Sequence, residues 1–134
     1  MKTDVIFNSD LYFEHKLWRR ELFFWEDELR SFKIRLGELV NRSTDKNMLA
    51  QLEHYQNQFM IHENKINELQ DDINVHETNI ASYSKKGENV LDTILVKKHI
   101  EFRNHIETQR HIYSDLKKEF FHFLSKYMLV LTGE

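Results

Sequence analysis

No proline interrupts the 134-residue chain, and its three glycines stand far apart, at Gly37, Gly87 and Gly133. With so few residues that break regular structure, the chain has few places to turn and must be built from a few long elements. Disorder is excluded as the alternative: charged residues make up 31%, but aromatic residues reach 13% and hydrophobic residues 40%, enough to close a core.

Apolar residues recur at alternating steps of four and three, the mark of a helix that keeps one face against a partner. The first seam reads Leu11, His15, Trp18, Leu22, Trp25, Leu29, Phe32, Leu36, Leu39. The second reads Met48, Leu52, Tyr55, Phe59, His62, Ile66, Leu69, Ile73, His76, Ile80, Tyr83. The third reads Leu95, His99, Phe102, Ile106, Gln109, Tyr113, Leu116, Phe120, Phe123, Tyr127, Val130. Asn8, Ser9 or Asp10 suits the start of the first helix, and Ser43 or Thr44 the cap of the second, with Asp45 near its dipole. Lys85-Lys86-Gly87 has the form of a helix stop, and Asn89 that of a third cap, with Asp92 in the first turn. The expectation is one all-α domain over residues 1–134, an antiparallel three-helix bundle with coiled-coil-like packing and helices near 9–41, 45–85 and 89–131.

Short turns fix which residues share a level. His76 falls level with about residue 98, beside His99, and His15 with about residue 72, within one turn of His76. One seam histidine from each helix therefore enters or approaches one layer, while His62 lies level with Trp25 and Tyr113. Three imidazoles on a bundle axis match the ligand set of a zinc site with an open position, with Glu14, Glu77 and Glu101 as carboxylates behind them. A hydrated polar layer near the bundle end, fixing register, is the plainer reading. A pH switch is the third, because buried histidines that must charge would loosen the bundle near pH 6.

Other chemistry finds little footing. Glu119 and His122 match one half of a di-iron carboxylate motif, which needs a second pair and two further glutamates. There is no cysteine, no glycine-rich phosphate loop and no nucleophile elbow. Connections of about four residues leave little room for a substrate pocket, so an enzyme is not expected. The net charge is −3, the acidic excess sits in the second helix, and no basic stripe points to nucleic acid. No apolar run has the length of a signal peptide or a membrane span, which makes a cytoplasmic protein without membrane contact the expectation.

Surplus apolar residues give the leading functional expectation. Phe13, Leu17 and Phe24 lie off the first seam in a second stripe that Ile34 loosely continues, and Ile94, Ile112, Phe121, Leu124 and Leu131 widen the third helix's apolar face. A three-helix core absorbs part of this breadth. The remainder, Phe13, Leu17 and Phe24 above all, predicts a non-enzymatic interaction module that binds a protein partner or a second copy through the outer face of helix 1 and needs no cofactor. The alternative is a bundle that binds a divalent metal such as zinc or iron through His15, His76 and His99.

Tryptophans in the first seam of a three-helix bundle give the chain an architecture similar to spectrin-type repeats. The stretches Trp18-Arg-Arg-Glu-Leu-Phe-Phe-Trp25 and Thr44-Asp-Lys-Asn-Met-Leu-Ala-Gln-Leu-Glu-His-Tyr-Gln-Asn-Gln-Phe59 resemble a group of small bacterial all-helical proteins. That resemblance implies an all-helical fold and carries no activity, ligand or site with it.

Overall fold

A computed structural model describes residues 8–84 and 93–132 of the chain. Three α-helices account for nearly all of them: α1 (Asn8–Arg42), α2 (Lys46–Ser84) and α3 (Thr93–Thr132). Helices of 35, 39 and 40 residues are each roughly 50–60 Å long. The expected stop at Lys85-Lys86-Gly87 and the expected Asn89 cap and Asp92 lie outside the described residues, as do the side chains of Tyr83, Val130 and Leu131.

Seam and burial coincide. Every described seam residue of the three helices is buried except Phe32 and Met48, which are half-buried and pack against the core. A long apolar cluster runs from Trp18, Ile73 and Phe102 to Leu39, Leu52 and Tyr127. Its far end is aromatic: Phe59 meets Phe120 edge-on at 4.9 Å, and Tyr55 lies 5.1 Å from Phe123. Two phenols there use their polar tips, Tyr55 donating to the Glu119 carbonyl and Tyr127 to the Leu39 carbonyl, each at 3.3 Å. A second, smaller apolar cluster, Leu11, Ile80, Leu95 and Val96, closes the opposite end.

Contacts between helices give their directions. His15 and Arg19 of α1 meet Glu77 of α2, while Lys33 meets Glu63, so numbers fall along α2 as they rise along α1. His62 meets Gln109 and Tyr55 meets Phe120, the same opposite sense for α2 and α3. On the α1–α3 side, Glu14 pairs with Arg103, Glu21 with Arg110 and Glu28 with Lys117, each 89 residues apart. A constant offset repeated every heptad means that α1 and α3 run parallel.

Two local expectations need correction. The cap of α2 is Asp45, not Ser43 or Thr44: its Oδ1 accepts from the Asn47 and Met48 amides at 2.8 and 3.1 Å. α1 stays helical through Arg42, and residues 43–45 form the whole connection, so only Asp45 sits one residue before the first helical amide. The α1–α2 register is also displaced by about one turn, since His15 meets His76 and Glu77 rather than the level of residue 72. Side chains lean toward the N-terminus of their own helix, so touching pairs in an antiparallel hairpin carry higher numbers than strictly level ones.

Candidate metal centre

His15, His76 and His99 meet in one layer between the two apolar clusters. Ring centroids are 5.2 Å apart for His15 and His76, 5.1 Å for His15 and His99, and 5.5 Å for His76 and His99. Each ring can offer one nitrogen such that the three lie within 4.8 Å of one another. His15 and His99 are fully buried and His76 is 8% exposed. The expected open, hydrated bundle end does not match this burial, because Leu11, Ile80, Leu95 and Val96 form an apolar floor beyond the layer.

Two carboxylates fix how the rings are used. His15 donates from Nδ1 to Glu77 Oε2 at 2.9 Å, and His99 donates from Nε2 to Glu14 Oε1 at 2.7 Å. Each carboxylate is anchored in turn by an arginine. Arg19 reaches Glu77 at 2.7 Å and also bonds Asn74, while Arg103 grips Glu14 twice, at 2.6 and 3.1 Å. Burial works against ionisation of Glu14, but hydrogen bonds from Arg103 and His99 outweigh it and hold its pKa below the ordinary value. Glu77 is held low in the same way by Arg19 and His15. Burial lowers the pKa of His15 and of His99 despite their carboxylate partners. His76, buried and close to His15 and Lys98, is pushed down to about 4. At neutral pH the layer is therefore three neutral imidazoles backed by two ionised carboxylates, and the His–Glu contacts are hydrogen bonds rather than ion pairs.

This assignment leaves a specific residue of unmet chemistry. His15 Nε2, His76 Nε2 and His99 Nδ1 are buried and have no hydrogen-bond partner among the described residues. With the Nδ1 of His15 and the Nε2 of His99 committed as donors, the remaining nitrogen of each ring carries a lone pair. A buried acceptor without a donor costs about 1–3 kcal/mol, and the cost recurs within one layer. A divalent cation satisfies such lone pairs together. Metal-bound histidines characteristically donate their other nitrogen to a carboxylate, as His15 and His99 do here. Zinc–nitrogen bonds of about 2.0–2.1 Å set tetrahedral ligand nitrogens roughly 3.3 Å apart, so loading would draw these rings together by up to about 1.5 Å.

The other buried polar group is satisfied without help. Gln109 donates from Nε2 to His62 Nδ1 at 2.6 Å, and the His62 ring lies 5.9 Å from Tyr113, itself 5.4 Å from Trp25. The level expected for His62 is thus observed, and Gln109, read only as a seam position, is its partner. Tyr113 donates to Glu28 at 2.9 Å, and burial followed by that contact raises its pKa. Glu119 and His122, the half motif, are both exposed.

Phe13, Leu17 and Phe24 lie at the surface, 62%, 44% and 56% exposed. Ile34, Ile94, Ile112 and Phe121 are exposed too, and Leu124 packs against the core. Phe23, also exposed, belongs to no stripe read from the sequence. Phe24 sits beneath the Lys117 ammonium at 5.9 Å, and Phe121 packs edge-on against Phe32 at 5.5 Å, so part of the stripe follows the α1–α3 groove. No helix among the described residues is long and apolar enough to cross a membrane. Compared with protein-family models, curated proteins and solved structures, the chain matches none.

Proposed function

We propose that this protein is a metal-binding helical bundle that holds a divalent transition ion, zinc foremost, on His15, His76 and His99. The observation that carries the reading is the trio of buried, partnerless ring nitrogens in one layer, two of them on rings whose opposite nitrogen is engaged by an ionised carboxylate. A layer meant only to fix register would pair its polar groups with each other, as His62 and Gln109 do. Imidazole ligands suit zinc, iron, nickel and copper, and neutral histidines need lose no proton to bind.

The test is native mass spectrometry of untagged protein, purified gently and then offered one equivalent each of zinc, iron(II), nickel and manganese in turn. One retained ion per chain, lost in His76→Leu, is the expected result. The bare chain mass in every case would overturn the reading.

The exposed stripe supports a second function, an interaction face for a protein partner or another copy of the chain. Phe13, Leu17 and Phe24 present large apolar side chains to solvent on one helix, and ordinary surfaces seldom group them so. The two readings are compatible, because the stripe and the histidine layer use different faces of α1.

A further inference from the structure

We propose that an ion bound by His15, His76 and His99 keeps an open coordination position facing the groove between α2 and α3, where it accepts water and small exogenous ligands from solvent. This rests on the metal-binding reading above and adds to it the kind of site: ligand-accepting rather than purely structural.

Among the described residues, three ligands are too few to close the shell. Structural zinc sites use four protein ligands, whereas three with an exchangeable fourth position mark reactive ones. Among the described residues the metal-ligating cluster contains His15, His76 and His99 and no fourth member. The nearest carboxylates, Glu14 and Glu77, are bonded to the opposite nitrogens of His99 and His15 and are held there by Arg103 and Arg19. They stand behind the rings rather than among the free nitrogens.

Most directions out of the layer are walled. Trp18 lies over His99 at 4.9 Å and over His15 at 5.5 Å, and Phe102 backs Trp18 at 5.1 Å. Leu11, Ile80, Leu95 and Val96 seal the end beyond. The side of His76 differs. A groove of about 250 Å³ runs past it, with Asp72 and Val75 on the α2 wall and Lys98, Glu101 and His105 on the α3 wall. A water needs about 10–15 Å³ of such space, so the groove holds several waters or one small ligand beside the edge of His76. His76 Nε2 is itself buried, so a ligand entering from the groove passes this ring to reach the ion. Its charges are of both signs, with the Lys98 ammonium available to a small anion against the carboxylates of Asp72 and Glu101.

Cobalt(II) and azide test this on the full-length chain, because cobalt reports its coordination number in the visible spectrum. The expected result is a cobalt band that shifts and saturates as azide is added. Val75→Trp, on an exposed position of the groove wall, should keep the cobalt band and slow azide association at least tenfold. His105→Trp, at an exposed position, blocks the same groove from the opposite wall and replaces that variant should circular dichroism show it misfolded. A cobalt band indifferent to azide would mean a closed shell and overturn the proposal. Azide association as fast in the blocked variant as in the parent would overturn the groove as the route. Failure to take up cobalt at all would instead remove the metal-binding reading, and this inference with it.

Discussion

Arg103 grips both oxygens of Glu14, and that grip leaves Glu14 Oε1 aimed at His99 as well. The carboxylate thus serves two polar groups of α3, and its charge sets which nitrogen of His99 carries the proton. Replacing it by an amide tests that arrangement without removing a ligand. Glu14→Gln should weaken zinc binding by about 10–100-fold while all three histidines remain. Competition against a chromophoric chelator measures this, and unchanged affinity would separate Glu14 from the site.

His76→Leu should have opposite effects on the two forms of the protein. In metal-free protein it removes a buried, unpaired nitrogen and substitutes apolar volume, so urea denaturation should give a gain of about 1–2 kcal/mol. Metal-loaded parent should be more stable than its own metal-free form, and the variant should gain nothing from added metal. A loss of stability in metal-free His76→Leu would mean that His76 makes a favourable contact as it stands.

Acid should loosen the metal-free bundle in a defined window. Each layer histidine has a folded pKa below the ordinary value of 6.5, so below that pH the unfolded chain binds more protons than the folded one. Stability is then fully present above about pH 7 and falls with acidification, for His76 from 6.5 down to about 4. The slope reaches at most about 1.4 kcal/mol per pH unit for each titrating ring. Glu14 and Glu77, whose pKa values are held below 4.5, keep their contribution above that pH and lose it as pH falls from 4.5 through their folded values. Denaturant midpoints from pH 8 to pH 4 check this, and a profile as steep in His76→Leu as in the parent would exclude His76 as a contributor.

Phe13→Glu with Phe24→Glu addresses the outer stripe. Both side chains are exposed, so folding stability should change by about 0.5 kcal/mol or less per site. Sedimentation velocity of parent and variant should differ if the stripe joins two copies. An unchanged monomer, together with unchanged capture of any partner the parent binds, would dismiss the stripe as an interface.

Gly37→Ala is expected to stabilise the protein by about 0.5–1 kcal/mol. Gly37 lies inside α1, and a methyl group there meets nothing within 4 Å. Thermal unfolding would show it, and a destabilised variant would contradict the helical environment of that position.

The bundle was legible because its core obeys a repeat: a heptad seam needs no tertiary knowledge to read, and Leu22, Phe59 or Ile106 could be placed inside from spacing alone. The histidine layer was half legible. Its members followed from the seams and the short turns, but the turn of error between His15 and His76 came from side-chain tilt, which residue counting ignores. Glu14 and Glu77 could be named as neighbours but not assigned to particular ring nitrogens, because that depends on rotamers and on Arg19 and Arg103 reaching across helices. The Asp45 cap is not legible in the sequence for a local reason: three adjacent polar residues all suit the role, and only the last helical residue of α1 decides among them.

The layer takes one residue from each helix, His15, His76 and His99. No hairpin of the chain contains it: α1 with α2, or α2 with α3, presents two rings and leaves the third place vacant. An ion held by all three rings would therefore report that every helix has docked. Whatever binds there with three-point affinity recognises only a chain whose first and last helices have both docked, and a truncated or half-assembled copy fails that inspection however well its remaining helices pair.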